Sequence, residues 1–399
     1  MSPGSQPEMI QITEALLESN FSVRFFTCGI VSSQSIKFRI LESFFTGSAF
    51  EKIQRRARRI PTKNLKTFGV ILEILIFVST EKFRPTLIKI RNIWFSLRVI
   101  PYILYHRPIL VISQGHSNSM PIYFANKMKI KTLLNVSIAH HDWMVDEFER
   151  ESRANPIWSK YLQHNRINEY ERKHLDREIE NASYLLASSN FTVSTFLEQG
   201  IAMKKFFVAP LGFDFNKFKK NGNHVERNGI IFVGQLTQRK GISYLLDAYD
   251  VISKSIPLNL YFVGRDTSGM GEQLKEIPGI FLFSHKNQDE LNSMMQKAKY
   301  FILPSLAEGF ALSALEAMAC GLIVIVSDRT FAEDIVKNGE NGYVVDPRNI
   351  NGIIEIINNI ESDPILANKL SMAAIATSRN FTWEKYRVKV RSIINEILI

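Results

Sequence analysis

Four charged residues stand where an ordinary core would reject them. Residues 304–321 read PSLAEGFALSALEAMACG, and Glu308 and Glu316 interrupt a run that is otherwise apolar or small. An ionised carboxylate without partners is costly to bury, so these acids either turn into water or face a polar ligand. A carboxylate is an acceptor only, and one placed near vicinal hydroxyls can hold a ribose or a hexose. Upstream, Arg239 and Lys240 follow a Gly234 turn within VGQLTQRKG. Adjacent cations at a helix start conflict with its partial positive charge. They are either a solvated pair or the seat of an anion such as a phosphate.

The surrounding pattern supplies strands to carry these residues. From residue 229 onward, short β-branched runs at 230–233, 258–263, 280–283, 300–303 and 322–326 alternate with helical patterns starting near Gly241, Gln288, Ala311 and Phe331. That alternation predicts a parallel sheet covered by helices on both faces. In such sheets ligands bind beyond the carboxyl ends of the strands. The loops there hold Gly234, Arg239 and Lys240, then Gly264, then Glu308 to Leu312. The free N–H groups of Gly309, Phe310, Ala311 and Leu312, at the start of a helix, can hold a phosphate or sugar oxygen. Glu316 falls inside that helix; by itself it would be an exposed helix residue.

The first half repeats this grammar, with strand-like runs at 23–27, 110–113, 132–137, 184–187 and 206–209. A basic, aromatic stretch at 36–105, helical by composition, lies among them. The fold class expected is α/β, two doubly wound Rossmann-like domains facing a cleft. Residues 1–210 form the first domain and 211–380 the second. Residues 381–399 form a last helix whose Tyr386, Val390, Ile393, Ile394 and Ile397 recur at helical spacing, predicted to pack back on the first domain.

Hydrophobic residues make up 45% and charged residues 22% of the 399 positions, which excludes disordered and fibrous classes. Cys28 and Cys320 are far apart and have no metal-ligand spacing, so neither a disulfide framework nor a zinc site is expected. The first twenty residues carry three Glu and no secretory core, and no apolar run reaches the roughly 20 residues a bilayer requires. The expectation is a cytoplasmic protein. The net charge of +10 lies wholly in residues 1–210, which hold 28 Lys and Arg against 18 Asp and Glu; residues 211–399 balance at 21 each. Arg55, Arg56, Arg58, Arg59, Lys63 and Lys66, near Phe68, Trp94 and Phe95, are either a solvated face or a dock for an anionic membrane. No nucleic-acid recognition motif accompanies them.

The motif E-G-F-A-L-S-A-L-E, preceded by G-Q-L-T-Q-R-K-G, resembles the retaining glycosyltransferases of family 4, enzymes of the two-domain GT-B fold. Segments ASSNF (187–191), VAPLGFD (208–214), NGYVV (341–345) and FTWE (381–384) extend the likeness. The resemblance implies a glycosyltransferase using a nucleotide-sugar donor and a glycan or lipid-linked acceptor, with no cofactor and no metal. It implies that Lys240 and Arg239 bind the donor diphosphate, with Gly264 nearby, and that Glu316 holds the ribose. Glu308 and the backbone from Gly309 to Ala311 would contact the transferred sugar, and His140 would lie near it. His116, after another strand, could line the acceptor side.

Two departures stand out. Where the family has an Arg after the phosphate-loop Gly, this chain has Gln235. The family also opens on a strand leading into a Gly-rich loop, whereas Met1-Ser2-Pro3-Gly4-Ser5 supplies only the loop, with Gly4 able to approach the donor. Two further readings follow from these features: a nucleotide-sugar epimerase on a similar scaffold, or a binding protein that keeps the fold without catalysis.

Overall fold

The computed structural model describes residue 1, residues 6–28, 62–69, 83–116, 118–162, 167–220 and 227–399, and isolated positions between 72 and 79. Gly4 and Arg55, Arg56, Arg58 and Arg59 lie outside the described residues.

The second sheet has six parallel strands in the order β12-β11-β10-β7-β8-β9. They are β7 (Ile230–Val233), β8 (Leu260–Val263), β9 (Ile280–Phe283), β10 (Tyr300–Leu303), β11 (Ile323–Ser327) and β12 (Tyr343–Val345). The sequences YFIL of β10 and IVIVS of β11 are buried along their whole length. Continuous apolar runs are what a parallel sheet covered on both faces requires.

Four parallel strands form the main sheet of the first half: β3 (Leu110–Gln114), β4 (Lys131–Val136), β5 (Tyr184–Ala187) and β6 (Phe206–Val208). A separate parallel pair joins β1 (Phe25–Thr27) to β2 (Leu65–Thr67). β2 falls inside the stretch expected to be helical; three residues are too few to show an alternating pattern. The helix Arg84–His106 follows that expectation. Met1 lies along β3: its amine donates to the Ile112 carbonyl at 2.6 Å, and its carbonyl accepts from the Gln114 N–H at 2.9 Å.

The chain crosses between the halves twice, and the crossings touch. The Phe213 N–H donates to the Phe381 carbonyl at 3.1 Å. A Cβ on Gly212 would stand 2.3 Å from the Thr382 carbonyl carbon, so only glycine fits. After the second crossing, the helix Trp383–Leu398 packs against the helix Pro7–Glu18. Val390 and Ile394 join Met9 and Ile12 in one cluster with Leu133 of β4 and Leu186 of β5. Arg387 and Arg391 both pair with Glu18 across this contact.

Candidate functional site

The loops beyond β7, β8 and β10 meet at one point. A Cβ on Gly264 would fall 1.7 Å from the Gly234 carbonyl oxygen, and one on Gly241 would fall 1.8 Å from that of Pro304. Gly241 also has φ of 70°, a conformation that favours glycine. Arg239 and Lys240 do not open a helix, as expected; they lie in a separate 3-10 turn, Gln238–Lys240, before the helix Ile242–Ile252.

This turn explains the paired cations. The Glu308 carboxylate accepts from Arg239 Nη1 at 2.5 Å and pairs with the Lys240 ammonium through the same oxygen, while Arg239 Nη1 also reaches the Ala307 carbonyl at 2.7 Å. The Arg239 carbonyl accepts from the Leu306 N–H at 2.8 Å. The anion that answers the two cations is thus supplied by the chain itself. Burial would raise the Glu308 pKa, but Arg239 and Lys240 hold it below the usual carboxylate range. Two cations share one carboxylate, so the cluster keeps a net positive charge.

Glu316 is in a different state. It lies within the helix Leu312–Ala319, and burial pushes its carboxyl from 4.5 to about 8. Its neighbour Ser313 donates to the Val233 carbonyl at 3.3 Å, tying this helix to β7. The N-cap residue Ala311 provides no side-chain cap, and the Leu312 N–H already donates to the Phe310 carbonyl at 3.1 Å.

The first half closes over this cluster. A Cβ on Gly309 would lie 1.8 Å from the Ser137 carbonyl oxygen, and the Gly309 carbonyl accepts from Ser189 Oγ at 2.7 Å. Phe310 stacks on Phe331 at 4.6 Å between ring centroids. A cavity of about 870 Å³ opens beside it, walled on one side by Gln235 and Arg239 and on the other by His116, Ile138 and His141. Its far wall carries Arg84, Lys89, Tyr170 and His174 among apolar neighbours.

His140, expected near the transferred sugar, stands directly before His141 at the start of the helix His141–Ala154. His140 is buried, its ring stands edge-on to Phe196 at 4.9 Å, and Nδ1 accepts the Asp142 N–H at 3.2 Å as a helix cap. Burial lowers its pKa to about 4. His141 faces the cavity instead, with Nε2 at 2.9 Å from Asp176. Burial depresses it too, against the pull of Asp142 and Asp176. The donor atoms of His140, His141 and Asp142 lie within 4.8 Å of one another, a spacing a metal could use. However, His140 Nδ1 caps the helix, Asp142 pairs with Arg172 at 3.0 Å and His141 with Asp176.

The helix His141–Ala154 carries a further group that sequence reasoning missed. Met144, Glu147, Phe148 and Glu151 form its buried face. Arg348 Nη2 pairs with Glu147 at 2.8 Å and Glu151 at 2.9 Å, and Arg329 pairs with Glu147 at 3.4 Å. Glu151 also accepts from Gln238 Nε2 at 2.8 Å and from the Tyr244 hydroxyl at 2.7 Å. The helix of one half thus holds the residue that precedes Arg239. The signal was present: two acids at i and i+4 on an apolar face, the same anomaly that singled out Glu308.

Two facing α/β halves, with a cluster at the strand ends of the second, define the GT-B architecture. Sucrose-phosphate synthase from Thermosynechococcus elongatus superposes with a TM-score of 0.70 at 18% identity, covering 97% of this chain and 92% of that one. Anabaena HepE in complex with UDP and glucose superposes at 0.64 and 16%, covering 99% and 98%. Residues 213–377 match the family of glycosyl transferases group 1. A glycosyltransferase of Methanocaldococcus jannaschii is 32% identical over 44% of this chain and 50% of its own length. The capsular polysaccharide biosynthesis glycosyltransferase CapM of Staphylococcus aureus is 29% identical over 39% and 44%. The chain spans about half the length of these curated relatives.

Proposed function

We propose that this protein is a retaining glycosyltransferase that moves a sugar from a nucleotide-sugar donor to a glycan or lipid-linked acceptor of the cell envelope. The observation that carries the reading is the Arg239, Lys240 and Glu308 cluster, net positive and placed at the strand ends beside a cavity between two halves. The complexes of HepE with UDP and with UDP-glucose support a nucleotide donor. The name of CapM supports an envelope acceptor, as does that of the O-antigen chain mannosyltransferase B of Escherichia coli.

In this reading the donor diphosphate takes the surplus charge of Arg239 and Lys240, assisted by the N–H groups from Gly309 to Ala311 and by the tight loop at Gly264. The leaving diphosphate gains negative charge as the sugar becomes oxocarbenium-like, and preorganised cations lower that barrier. Glu308 aligns both cations and accepts from sugar hydroxyls; it is not a nucleophile. The acceptor hydroxyl attacks from the face that the diphosphate leaves, and its proton passes to that leaving group. Glu316 holds the ribose. His141, with Nε2 at 2.9 Å from Asp176, lines the cavity that receives the sugar and acceptor. The reaction needs no metal or cofactor. Closure of the halves excludes water that would hydrolyse the donor.

The first half can rest on an anionic membrane. No helix among the described residues is long and apolar enough to cross one, but Ile90, Trp94 and Leu97 of the helix Arg84–His106 are exposed. Arg84, Lys89 and Arg98 on the same helix add charge.

The test is a thermal-stability screen across UDP-, GDP- and ADP-sugars, followed by transfer to undecaprenyl-phosphate-linked glycans. A stabilising donor whose turnover falls about 100-fold or more in Lys240→Ala and Glu308→Ala supports the reading. Unchanged turnover in both variants sinks it, and turnover of donor without acceptor would turn it toward an epimerase.

A further inference from the structure

A second cavity, of about 1020 Å³, lies on the opposite side of the second sheet. Asn228, Leu258, Lys299 and Ile323 line it; the first three come just before a strand and Ile323 opens β11, whereas the donor cluster follows the strands. The cavity therefore opens at the amino ends of β7, β8, β10 and β11, beside both crossings between the halves.

Its charge is one-sided. Lys219, Lys220, Arg227, Lys299 and Arg379 line it, and the only carboxylate among its lining residues is Glu361. Glu361 is already committed: it pairs with Lys299 at 2.9 Å and accepts from the Tyr300 hydroxyl at 2.7 Å. Arg227 Nη2 donates to Gln296 at 2.9 Å, but its Nη1 is buried with no hydrogen-bond partner among the described residues. Lys220 lies 3.5 Å from Ser371 Oγ, and burial together with Arg227 pulls its ammonium below the usual range. Arg379 stands over the Phe215 ring at 5.6 Å.

A buried donor left unmade is costly, more so on a charged group, and like charges gathered in a recess raise the local affinity for anions. A planar guanidinium with a free nitrogen matches a phosphate oxygen. Membranes and nucleic acids need a convex or extended face; this recess has apolar walls at Ile256 and Ile375 and the volume of a small-molecule site.

We propose that this cavity is a binding site for a small phosphorylated anion, seated by Arg227, Lys220 and Arg379 and separate from the donor site. It stands independently of the transferase reading.

The test uses the full chain carrying Lys240→Ala, so that phosphates do not report on the donor cluster. Inorganic phosphate, pyrophosphate and glucose 6-phosphate are titrated by calorimetry and thermal shift, with sodium chloride matched in ionic strength. At least one should bind saturably with a Kd of about 1 mM or tighter. Adding Lys220→Gln or Arg227→Gln should weaken it about tenfold. Adding Glu361→Gln should tighten it, because it removes the one competing carboxylate while an amide oxygen still faces Tyr300. If Arg227→Gln does not fold, the exposed Lys220 and the Glu361 variant still read the site in opposite directions. Absence of saturable binding by all three anions, or binding unmoved by Lys220→Gln and Glu361→Gln, overturns the proposal.

Discussion

Replacing Glu316 by Gln should stabilise the protein at neutral pH and impair it as a transferase, and the two effects separate by pH. The folded chain holds the Glu316 proton up to about pH 8, whereas the ordinary value is 4.5. Between these values the folded state binds more protons than the unfolded state. Stability contributed by this group is therefore complete below about pH 4.5 and is lost as pH rises toward 8. Each unit is about 1.36 kcal/mol, so at pH 7 the native carboxyl costs about 3 kcal/mol, and at pH 5 less than about 1 kcal/mol. Gln has nearly the same shape and no proton to lose. Urea unfolding of the second domain at pH 5 and pH 7 should show Glu316→Gln gaining that difference between the two conditions. Binding of the donor should weaken about tenfold or more, because the buried neutral carboxyl that meets the ribose hydroxyls is replaced by an amide with a different donor and acceptor pattern. A stability gap of equal size at both pH values would refute the reasoning, since a packing effect does not titrate.

Gly309→Ala places a methyl where the Ser137 carbonyl oxygen stands 1.8 Å away. The two halves must part by more than an ångström, and turnover should fall about 100-fold with little change in unfolding temperature; scattering that shows unaltered closure would contradict this. His141→Ala should lower turnover about 100-fold, whereas His140→Ala should act on stability by leaving the Asp142 N–H uncapped; equal kinetic losses would remove the distinction. Because His140 stays neutral down to about pH 4, the stability it contributes is present above about pH 6.5 and is lost as pH falls toward 4. Histidine NMR titration reads this directly. Arg348→Ala leaves Glu147 and Glu151 buried without their shared cation, which should cost about 3 kcal/mol. The loss should be smaller in the Glu151→Gln background, and additive losses would show that the pair is not coupled.

Much of this site is visible as local contradiction in the sequence. Glu308 and Glu316 in an apolar run, and Arg239 beside Lys240 after a glycine turn, each break a rule that an ordinary helix obeys. The alternating strand grammar of residues 229–326 places them at one end of a sheet, since successive βαβ crossovers leave only one side for ligands. β12 and the helices Ile350–Ser362 and Pro364–Ser378 carry no chemistry that would have singled them out. The acids of the helix Pro7–Glu18 serve in the sequence only to exclude a secretory core, while Glu8 is buried within the helix.

What the sequence determined by itself is the class of each element and the end of the sheet where the charges gather. Periodicity and glycine positions are properties of neighbours along the chain. Tertiary structure decided how the charges are shared. Glu308 reaches Arg239 and Lys240 from 69 and 68 positions away, and Arg348 reaches Glu151 from 197 positions away. It also set the surroundings of His140 and His141, whose rings stack at 4.1 Å between centroids. One imidazole turns inward to cap the helix and the other to the cavity. No spacing along the chain encodes which, because the choice depends on Phe196 and Asp176, contributed by other helices.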